Sequence, residues 1–350
     1  MKRKLLSAIL VCSMCAAIIG CSNSSSDAKE TDTGKAKTEA KTDSSVGTIK
    51  IAQSIPSLNN PWYVLFSNGS KDMADELGVE ITQVTNPEAN AWEPSEQISK
   101  IENLIASEPD AISIDPTSTD GINTAVDEVM EKGIPVVMSG TKVSADVSAS
   151  ITADNYSGGK LCGEYVAKKL DGKGKIVMLL GTPGRDVIET RQKGFRDTIA
   201  EHSGLEIVAE QVANLERAEA VSVMETILQA NPDIDAVWAA NDEMALGAIE
   251  ALRSVDKVGK VLVGGFDATP DGVDAIDKGE MQFTANQVPY EMGARAIATA
   301  TLLAQGKEIS NPDLELEMTL ISTESVKEYL NEQEQSEKDT IQKVKEEYGL

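Results

Sequence analysis

The sequence predicts an α/β protein built from two halves, each with a parallel sheet covered by helices. Three observations support this prediction. Short apolar runs alternate from residue 48 onward with stretches long enough for helices. The same succession of elements begins again after residue 155. Polar residues follow several of the predicted strands, which is where open α/β sheets bind ligands.

The first half begins with a strand and a helix whose start is well marked. Asn60 is a good N-cap residue, and Pro61 suits the first helical position. Apolar residues then recur at helical spacing as far as Leu77. A later helix ends at Gly133, with Pro135 beyond it. The strands predicted for this half are 49–55, 79–84, 111–114 and 134–138.

The second half repeats this order of strands and helices. The change from apolar strand to helix is sharpest at Asn241 and Asp242, where we expect Asn241 to face a ligand and Asp242 to cap the helix. A short helix is predicted after Gly272, and the charged segment 324–350 predicts a C-terminal helix solvated on one side. The other predicted elements are strands 175–180, 205–212, 236–240, 261–265 and 281–288, the extended stretch 314–321, and helices 159–169, 191–201, 218–229, 243–254 and 293–305.

Residues 1–20 have the pattern of an export signal. A basic start at residues 2–4 precedes an apolar run over 5–19, which is too short to span a bilayer comfortably. A short membrane anchor that stays attached is the alternative. The end of the run resembles a bacterial lipoprotein signal with its lipobox. That resemblance implies cleavage before Cys21 and attachment of lipid to its thiol, so the mature protein is expected to be extracytoplasmic and anchored to the cell membrane.

The segment after Cys21 predicts a tether rather than a folded part. Residues 22–45 contain no large apolar side chain and cannot bury enough surface to offset the entropy of ordering, so we expect 21–46 to be flexible. The formal charge is -25, and loss of the three basic residues 2–4 with the signal would make it -28. Such acidity argues against nucleic acid as a partner. Only Cys21 and Cys162 would remain, so no disulfide framework is predicted.

Patterns that indicate enzymatic chemistry are missing from the sequence. His202 is the single histidine and follows a predicted helix end, where a solvated residue is the simpler interpretation. Cys162 lies on a helical apolar pattern and is expected to be a core residue. Neither GxGxxG after the first strand nor a P-loop occurs, and no His/Cys spacing suggests a transition metal. We therefore expect a protein that is not an enzyme and that binds neither a cofactor nor a metal.

Six predicted strands end in polar residues that parallel sheets would gather at one edge. Each has an alternative role as a cap of the following helix, which competes for the same side-chain oxygen. These residues are Asp115, Ser139, Asp154 with Asn155, Asn241, Asp267 and Gln287.

Several of these residues carry a resemblance to a known family. The sequences LNNPWY at 58–63, DPT at 115–117, NDEMALG at 241–247 and GFD at 265–267 are similar to those of periplasmic ribose-binding protein and its relatives, the type I solute-binding proteins of sugar ABC transporters. The likeness runs from about residue 48 to about 322. It implies two Rossmann-like lobes joined by three crossings at a hinge, near Asp154, Val288 and Met318, with a sugar held in the cleft between them.

The resemblance also implies domain boundaries and partners. The N-terminal lobe is expected over 47–153 plus 289–317 and the C-terminal lobe over 154–288 plus 318–323, with 324–350 as an extension. The implied partners are a monosaccharide or other small polar ligand, the permease of an ABC transporter, and the lipid membrane through Cys21. The protein is expected to be a monomer.

The site residues that the resemblance implies include matches and departures. Gly140 and Thr141 stand in place of an Asp-Arg pair, Glu189 in place of an arginine, and Leu215 in place of an aromatic residue. Whether Arg185 or Arg191 compensates is left open, as is whether Trp92 anchors its loop or reaches the ligand. The expected ligand-binding residues are Asn60, Trp62, Tyr63, Asp115, Thr141, Glu189, Asn241, Asp267 and Gln287.

These expectations lead to one function and one alternative. The first is capture of a monosaccharide or related polyol and its delivery to an ABC importer; the alternative is a ligand-sensing receptor subunit for a membrane signalling protein. A transcriptional repressor of the same architecture would need a basic helix-turn-helix ahead of the first strand, where this sequence has the lipobox pattern and a featureless tether. The expected loss of arginines from a cleft that keeps Asp115, Asp267 and Glu189 also predicts a ligand other than plain ribose: a different pentose or hexose, a polyol, or a ligand with a positive charge.

Overall fold

The computed structural model describes residues 47–350, except for the side chain of Glu334. The predicted signal peptide, the tether and Cys21 lie outside the described residues. The strands of the described part are β1 Lys50–Ile55, β2 Glu80–Thr85, β3 Ala111–Ile114, β4 Val136–Ser139, β5 Ala149–Ala153, β6 Lys173–Leu180, β7 Gly204–Val212, β8 Ala236–Ala239, β9 Leu262–Phe266, β10 Phe283–Asn286, β11 Asp313–Leu316 and β12 Thr319–Ser322.

Ten α-helices are found among residues 47–350, and a short 3-10 turn spans Glu88–Asn90. The helices are α1 Pro61–Leu77, α2 Pro94–Ile105, α3 Asn123–Glu131, α4 Asn155–Lys169, α5 Asp186–Ala200, α6 Arg217–Ala230, α7 Asp242–Arg253, α8 Pro270–Asp277, α9 Pro289–Ala304 and α10 Val326–Tyr348.

The strands form two six-stranded sheets with equivalent orders, β11-β5-β4-β3-β1-β2 and β12-β10-β9-β8-β6-β7. All neighbours in the first sheet are parallel. The second sheet is parallel except at its edge, where β12 runs antiparallel to β10. The predicted fold class is thus confirmed: β1, β3, β4 and β8 are buried along their apolar runs because helices cover both faces.

Each sheet and its helices make up a lobe. We call the first sheet with α1, α2, α3 and α9 the first lobe, and the second sheet with α4 to α8 the second lobe. The chain passes between the sheets three times: after β5, after β10 and between β11 and β12. The predicted extended stretch 314–321 is therefore two strands in different sheets, because Met318 lies at the point where the chain crosses.

Several helices begin earlier than their apolar pattern predicts. The predicted helix 159–169 begins at Asn155, behind an Asp154 side chain that accepts from the Ser157 amide. The predicted helix 293–305 begins at Pro289. In both cases the first turn is defined by the N-cap or by proline rather than by hydrophobic periodicity.

Helix α10 packs against both lobes. Near its start, Lys327 pairs with Asp277 of α8 at 2.6 Å. Near its end, Glu347 accepts from Arg295 of α9 at 2.6 Å, and Val344 is fully buried. The extension thus contributes to the packing of the first lobe as well as continuing the second. None of the helices within residues 47–350 combines the length and the apolar character that a bilayer crossing requires.

Candidate functional site

Each sheet has a crevice at the carboxyl ends of the two strands between which the strand order reverses. In the order 2-1-3 the connections after strands 1 and 3 leave in opposite directions, which creates the crevice. The equivalent strands are β1 and β3 in the first lobe and β6 and β8 in the second. The segments that follow these four strands bring Asn60, Asp115, Arg185 and Asn241 to one cavity. It contains about 380 Å³ of empty space, part of it open to solvent.

Aromatic rings of the first lobe form one wall of the cavity. Trp62 and Tyr63 lie in the first turn of α1, and their ring centroids are 4.8 Å apart in an edge-to-face arrangement. Phe66, one turn later, stacks on Trp62 at 5.6 Å and holds its ring in place. Trp92 completes the wall, with its ring centroid 6.0 Å from that of Tyr63. Flat rings of this kind present an apolar face to a ligand.

Arg185 reaches from the second lobe into a polar cluster of the first. Its Nη2 donates to Thr141 Oγ1 at 2.9 Å, to Asp115 Oδ1 at 3.1 Å and to Tyr63 Oη at 3.2 Å. Its guanidinium carbon lies 4.8 Å from the centroid of the Trp92 ring, a cation-π geometry. Arg185 is only 5% exposed and Asp115 1%. A buried ion pair therefore joins the two lobes across the cavity.

Arg191 makes a second buried cluster, entirely within the second lobe. It donates to Asn155 Oδ1 at 3.0 Å through Nε, to the Ala240 carbonyl at 2.8 Å through Nη1 and to Gln287 Oε1 at 3.2 Å through Nη2. Asp267 Oδ1 lies 3.5 Å from Nη1 and also accepts from Gln287 Nε2. These contacts hold a guanidinium, a carboxylate and an amide in a fixed arrangement on the cavity surface.

The backbone at Asp267 is strained. Its φ of 120° and the φ of 56° at Ala268 lie in a region that side chains rarely adopt. The amide of Asp267 donates to the Ala285 carbonyl at 2.8 Å, which ties the strained turn to β10. Strain of this kind persists only where surrounding contacts enforce it and is concentrated at functional sites. The strained residue Asp267 is one of those that line the cavity.

The expected roles of Asn241 and Asp242 need a correction. Asn241 lines the cavity, but it is also the N-cap of α7, because its Oδ1 accepts from the Met244 amide at 2.9 Å. The expectation that Asp242 caps the helix is wrong. Its carboxylate accepts from the amide and hydroxyl of Thr269 and from the hydroxyl of Thr284, so it fastens the segment after β9 to β10.

Burial dominates the electrostatics of both carboxylates at the site. It raises the pKa of Asp115 to about 7, although the charge of Arg185 opposes the shift. It also raises the pKa of Asp267 well above the usual range, against the charge of Arg191. Burial lowers the pKa of Arg191 to about 10, still above neutral pH. Each buried carboxylate thus lies beside a guanidinium, whose charge opposes the tendency of burial to favour the neutral acid.

Two polar atoms of the ion pair between the lobes have no hydrogen-bond partner among residues 47–350. They are Asp115 Oδ2 and Arg185 Nε, both shielded from solvent. The indole nitrogens of Trp62 and Trp92 are also buried without a hydrogen-bond partner in this part of the chain. Buried polar groups are rarely left unpaired, and in a cavity their orphaned state suggests groups that a ligand satisfies.

The structure brings most of the expected site residues together. The cavity is lined by seven of the nine: Asn60, Trp62, Tyr63, Asp115, Asn241, Asp267 and Gln287. Thr141 is buried behind them and accepts from Arg185. Glu189 does not line the cavity; it is exposed, and its carboxylate accepts from the Gly184 amide at 3.2 Å.

Sequence reasoning left both arginines and Trp92 undecided, and all three line the cavity. A signal for Arg191 was present, because it lies at helical spacing between Ile188 and Phe195, both buried on the same face of α5. Arg185 lies in a loop and has no comparable signal. The argument for a positively charged ligand rested on missing arginines, so the structure removes its basis. No group of His, Cys, Asp and Glu within residues 47–350 is arranged to hold a metal ion.

Comparison with known proteins assigns this architecture to a family. The periplasmic binding protein domain matches residues 51–308, which span both lobes. The chain belongs to the periplasmic binding protein family. The ribose import binding protein RbsB of Escherichia coli (strain K12) is 34% identical over 260 residues, covering 74% of this chain and 86% of that protein.

Solved structures of other periplasmic binding proteins have the same fold. An ABC transporter solute-binding protein from Bacillus halodurans C-125, with bound myo-inositol, is 31% identical with a TM-score of 0.76, covering 81% of this chain and 97% of that one. One from Actinobacillus succinogenes 130z, with bound D-allose, is 29% identical with a TM-score of 0.77, covering 81% and 100%. The family resemblance seen in the sequence is therefore confirmed.

Proposed function

We propose that this periplasmic binding protein captures a monosaccharide or related polyol outside the cytoplasm and delivers it to an ABC importer. The observation that supports this most directly is the composition of the cavity. Flat aromatic rings face a set of buried, fixed hydrogen-bond donors and acceptors in which each carboxylate lies beside a guanidinium. A neutral ring with C–H faces and several hydroxyls matches that combination. Relatives with bound D-allose and myo-inositol support the same ligand class.

The proposed contacts divide by chemistry. Trp62, Tyr63 and Trp92 would pack against the ring faces. Asp115 and Asp267 would accept from hydroxyls, the arginines would donate, and the amides would do both. Specificity would follow from the cost of leaving any of these buried groups unpaired. The proposed ligand-binding residues are Asn60, Trp62, Tyr63, Trp92, Asp115, Arg185, Arg191, Asn241, Asp267 and Gln287, with Thr141 supporting Arg185.

The protein acts as a carrier and not as an enzyme in this proposal. The two carboxylates with raised pKa values are each held by a guanidinium, an arrangement suited to fixed hydrogen bonding rather than to proton transfer. A sensory role for the same fold has no supporting observation. The importer would recognise the molecule with its lobes closed on the ligand.

The lobes and the anchor are part of the same proposal. The first lobe would comprise 47–153 plus 289–317, the second 154–288 plus 318–323, and the lobes would move about the three crossings. Cleavage before Cys21 and lipid attachment would keep the monomeric protein at the membrane beside its importer, with 21–46 as the tether. Loss of membrane association in the Cys21→Ser variant would support the anchor, and unchanged retention in the membrane fraction would contradict it.

A ligand panel tests the function. We expect D-ribose, D-allose, myo-inositol or a related polyol to raise the melting temperature of the purified protein, because a ligand that binds only the folded state stabilises it. The Asp267→Asn variant should lose most of this shift. Arg196→Met is the matched control, because Arg196 pairs with Glu210 at the surface of the same lobe. A panel in which no sugar or polyol acts while another class of ligand does would refute the proposal.

A further inference from the structure

The loop that carries Arg185 is held against the first lobe by contacts of its own. The amide of Thr119 donates to the Gly184 carbonyl at 3.1 Å, and the amide of Asp186 donates to Thr119 Oγ1 at 2.9 Å. Ser118 adds a longer contact from its hydroxyl to the same carbonyl at 3.4 Å. These bonds flank Arg185 on both sides in sequence. The position of its side chain in the cavity therefore depends on the two lobes being together.

The ion pair made by Arg185 is incomplete. A guanidinium and a carboxylate can form two parallel hydrogen bonds, but Arg185 and Asp115 form one, between Nη2 and Oδ1 at 3.1 Å. The same Nη2 also serves Tyr63 and Thr141, so its two hydrogens are shared among three acceptors. Arg185 Nε and Asp115 Oδ2 are left over, as one buried donor and one buried acceptor.

The two unpaired atoms match the hydrogen-bonding capacity of an alcohol. A hydroxyl can accept from an N–H and donate to a carboxylate, and a vicinal diol can do so with two adjacent oxygens. Both residues line the cavity and are almost fully buried, so it is unfavourable for these two atoms to remain without a hydrogen-bond partner. A ligand with a hydroxyl at this position would remove that penalty, whereas a deoxy analogue would leave it in place.

We propose that Arg185 is a specificity-determining residue that completes a hydroxyl-recognition pair with Asp115 only when the lobes close. This inference rests on the proposed sugar-binding function and deepens it. Because the donor belongs to the second lobe and the acceptor to the first, recognition of that hydroxyl and closure are one event. A ligand can shift the equilibrium between open and closed forms only through contacts that differ between them. The contact at Arg185 is of this kind, unlike the contacts of Arg191, which lie within one lobe.

The test compares a sugar with its monodeoxy analogues. The probe is whichever of D-ribose, D-allose and myo-inositol binds most tightly to the full-length protein, measured by titration calorimetry together with each monodeoxy form. For the wild type we expect one analogue to bind roughly 10- to 100-fold more weakly because it leaves the pair unsatisfied. The Arg185→Met variant should bind the parent sugar more weakly than the wild type by a similar factor. It should no longer bind the parent sugar more tightly than that analogue.

Two further variants separate recognition from folding and from simple attraction between the lobes. Arg185→Lys keeps a positive charge near Asp115 but lacks the Nε–H, so it should fold and still lose the preference. Asp115→Asn combined with Arg185→Met should weaken binding by less than the product of the single effects, because both act on one pair. Arg196→Met, at the surface of the same lobe, should retain the wild-type preference.

The outcomes are distinguishable. The inference is overturned if Arg185→Met and Arg185→Lys lower the affinity for the parent sugar and for all its deoxy analogues by the same factor. Arg185 would then only hold the lobes together. The inference is equally overturned if both variants discriminate as the wild type does. If the wild type binds no sugar or polyol, the proposed function fails first and the inference falls with it.

Discussion

At the scale of single residues, the site contains charges where burial is costly. Moving an ion pair out of water costs more than its attraction returns unless further hydrogen bonds compensate. Each nitrogen of Arg191 donates one such bond, whereas Arg185 Nε and Asp115 Oδ2 have no partner among the described residues. The Arg191 cluster is therefore satisfied within the second lobe. The Arg185 cluster is the part of the cavity where a ligand can add hydrogen bonds.

Gly140 is required next to Asp115 for two reasons. Its φ is 69°, and a Cβ atom there would lie 2.2 Å from Asp115 Oδ2. We expect Gly140→Ala to weaken ligand binding by about tenfold or more, since displacing the carboxylate disturbs the contact with Arg185. Gly133→Ala is the matched control: its φ is 75°, but a Cβ atom would meet nothing within 4 Å.

Gly133→Ala should lower the free energy of unfolding by about 1 kcal/mol through backbone strain alone and leave affinity unchanged. Calorimetric titration and urea unfolding of both variants provide the comparison. Equal affinities for Gly140→Ala and the wild type would contradict the role given to this contact.

Ligand affinity should depend on pH through Asp115. Its pKa is raised to about 7, in a setting that also contains Tyr63, Arg185 and Arg191. A hydroxyl that donates to the carboxylate favours the ionised form. Affinity should therefore be highest above pH 7 and fall as pH decreases below 7, approaching tenfold per pH unit.

The Asp115→Asn variant isolates this effect, because asparagine cannot titrate while Asp267 still can. Titrations at pH 5.5, 6.5 and 7.5 should give a smaller slope of affinity against pH for this variant than for the wild type. Identical slopes would show that Asp115 does not control the dependence.

At the scale of secondary structure, the C-terminal helix is the element whose packing could not be inferred from its composition. Its apolar positions are few, yet Ile341 and Val344 in its second half are buried, and Arg295 of the first lobe donates to Glu347 at 2.6 Å. The helix begins directly after β12 in the second lobe. It therefore spans both lobes on a route separate from the three crossings.

Two residues of α10 make a matched pair for testing this packing. Ile341 is 7% exposed and Leu330 is 39% exposed. We expect Ile341→Ala to lower the free energy of unfolding by about 2 to 4 kcal/mol through loss of buried area and cavity formation. Leu330→Ala should change it by no more than about 0.5 kcal/mol. Chemical denaturation of both variants measures the two changes in the free energy of unfolding. Equal changes would mean that the helix does not pack stably in solution.

At the scale of the whole molecule, polar contacts join the two lobes across the cavity, in addition to the three crossings and α10. Some are made by side chains inside the cavity and others by the backbone at its rim, where Thr119 meets Gly184 and Asp186. Polar contacts of this kind can break and form again, as the proposed opening and closing of the lobes requires.

Amide hydrogen exchange should report this closure. The amides of Thr119 and Asp186 donate across the rim, so we expect ligand to slow their exchange by about tenfold or more. The Gly133 amide is the control, since it bonds locally to Met130 at 2.9 Å at the end of α3 and is not part of the cavity lining. Its exchange should not change. If ligand raises the melting temperature but leaves Thr119 and Asp186 unaffected, these contacts do not depend on the ligand.

The sequence by itself determined the alternation of strands and helices, the two parallel halves and most of the strand-end residues that line the cavity. These features depend on local chemistry, such as apolar runs, N-caps and proline, and on the rule that parallel strands present their carboxyl ends at one edge. Asp115, Asn241 and Asp267 could be named for that reason. Helix starts were less accurate, because a capping side chain sets the first turn independently of hydrophobic periodicity.

Only the tertiary structure decided which charges meet. Asp115 and Arg185 are 70 positions apart in the sequence and belong to different lobes. Their contact depends on how the chain crosses between the sheets, and no local pattern encodes it. The same holds for Glu189, which a residue-by-residue correspondence assigned to the site and which helix geometry turns outward. Side-chain direction in a helix changes by about 100° per residue, so Glu189 faces solvent while Arg191, two positions later, is buried in the cavity wall.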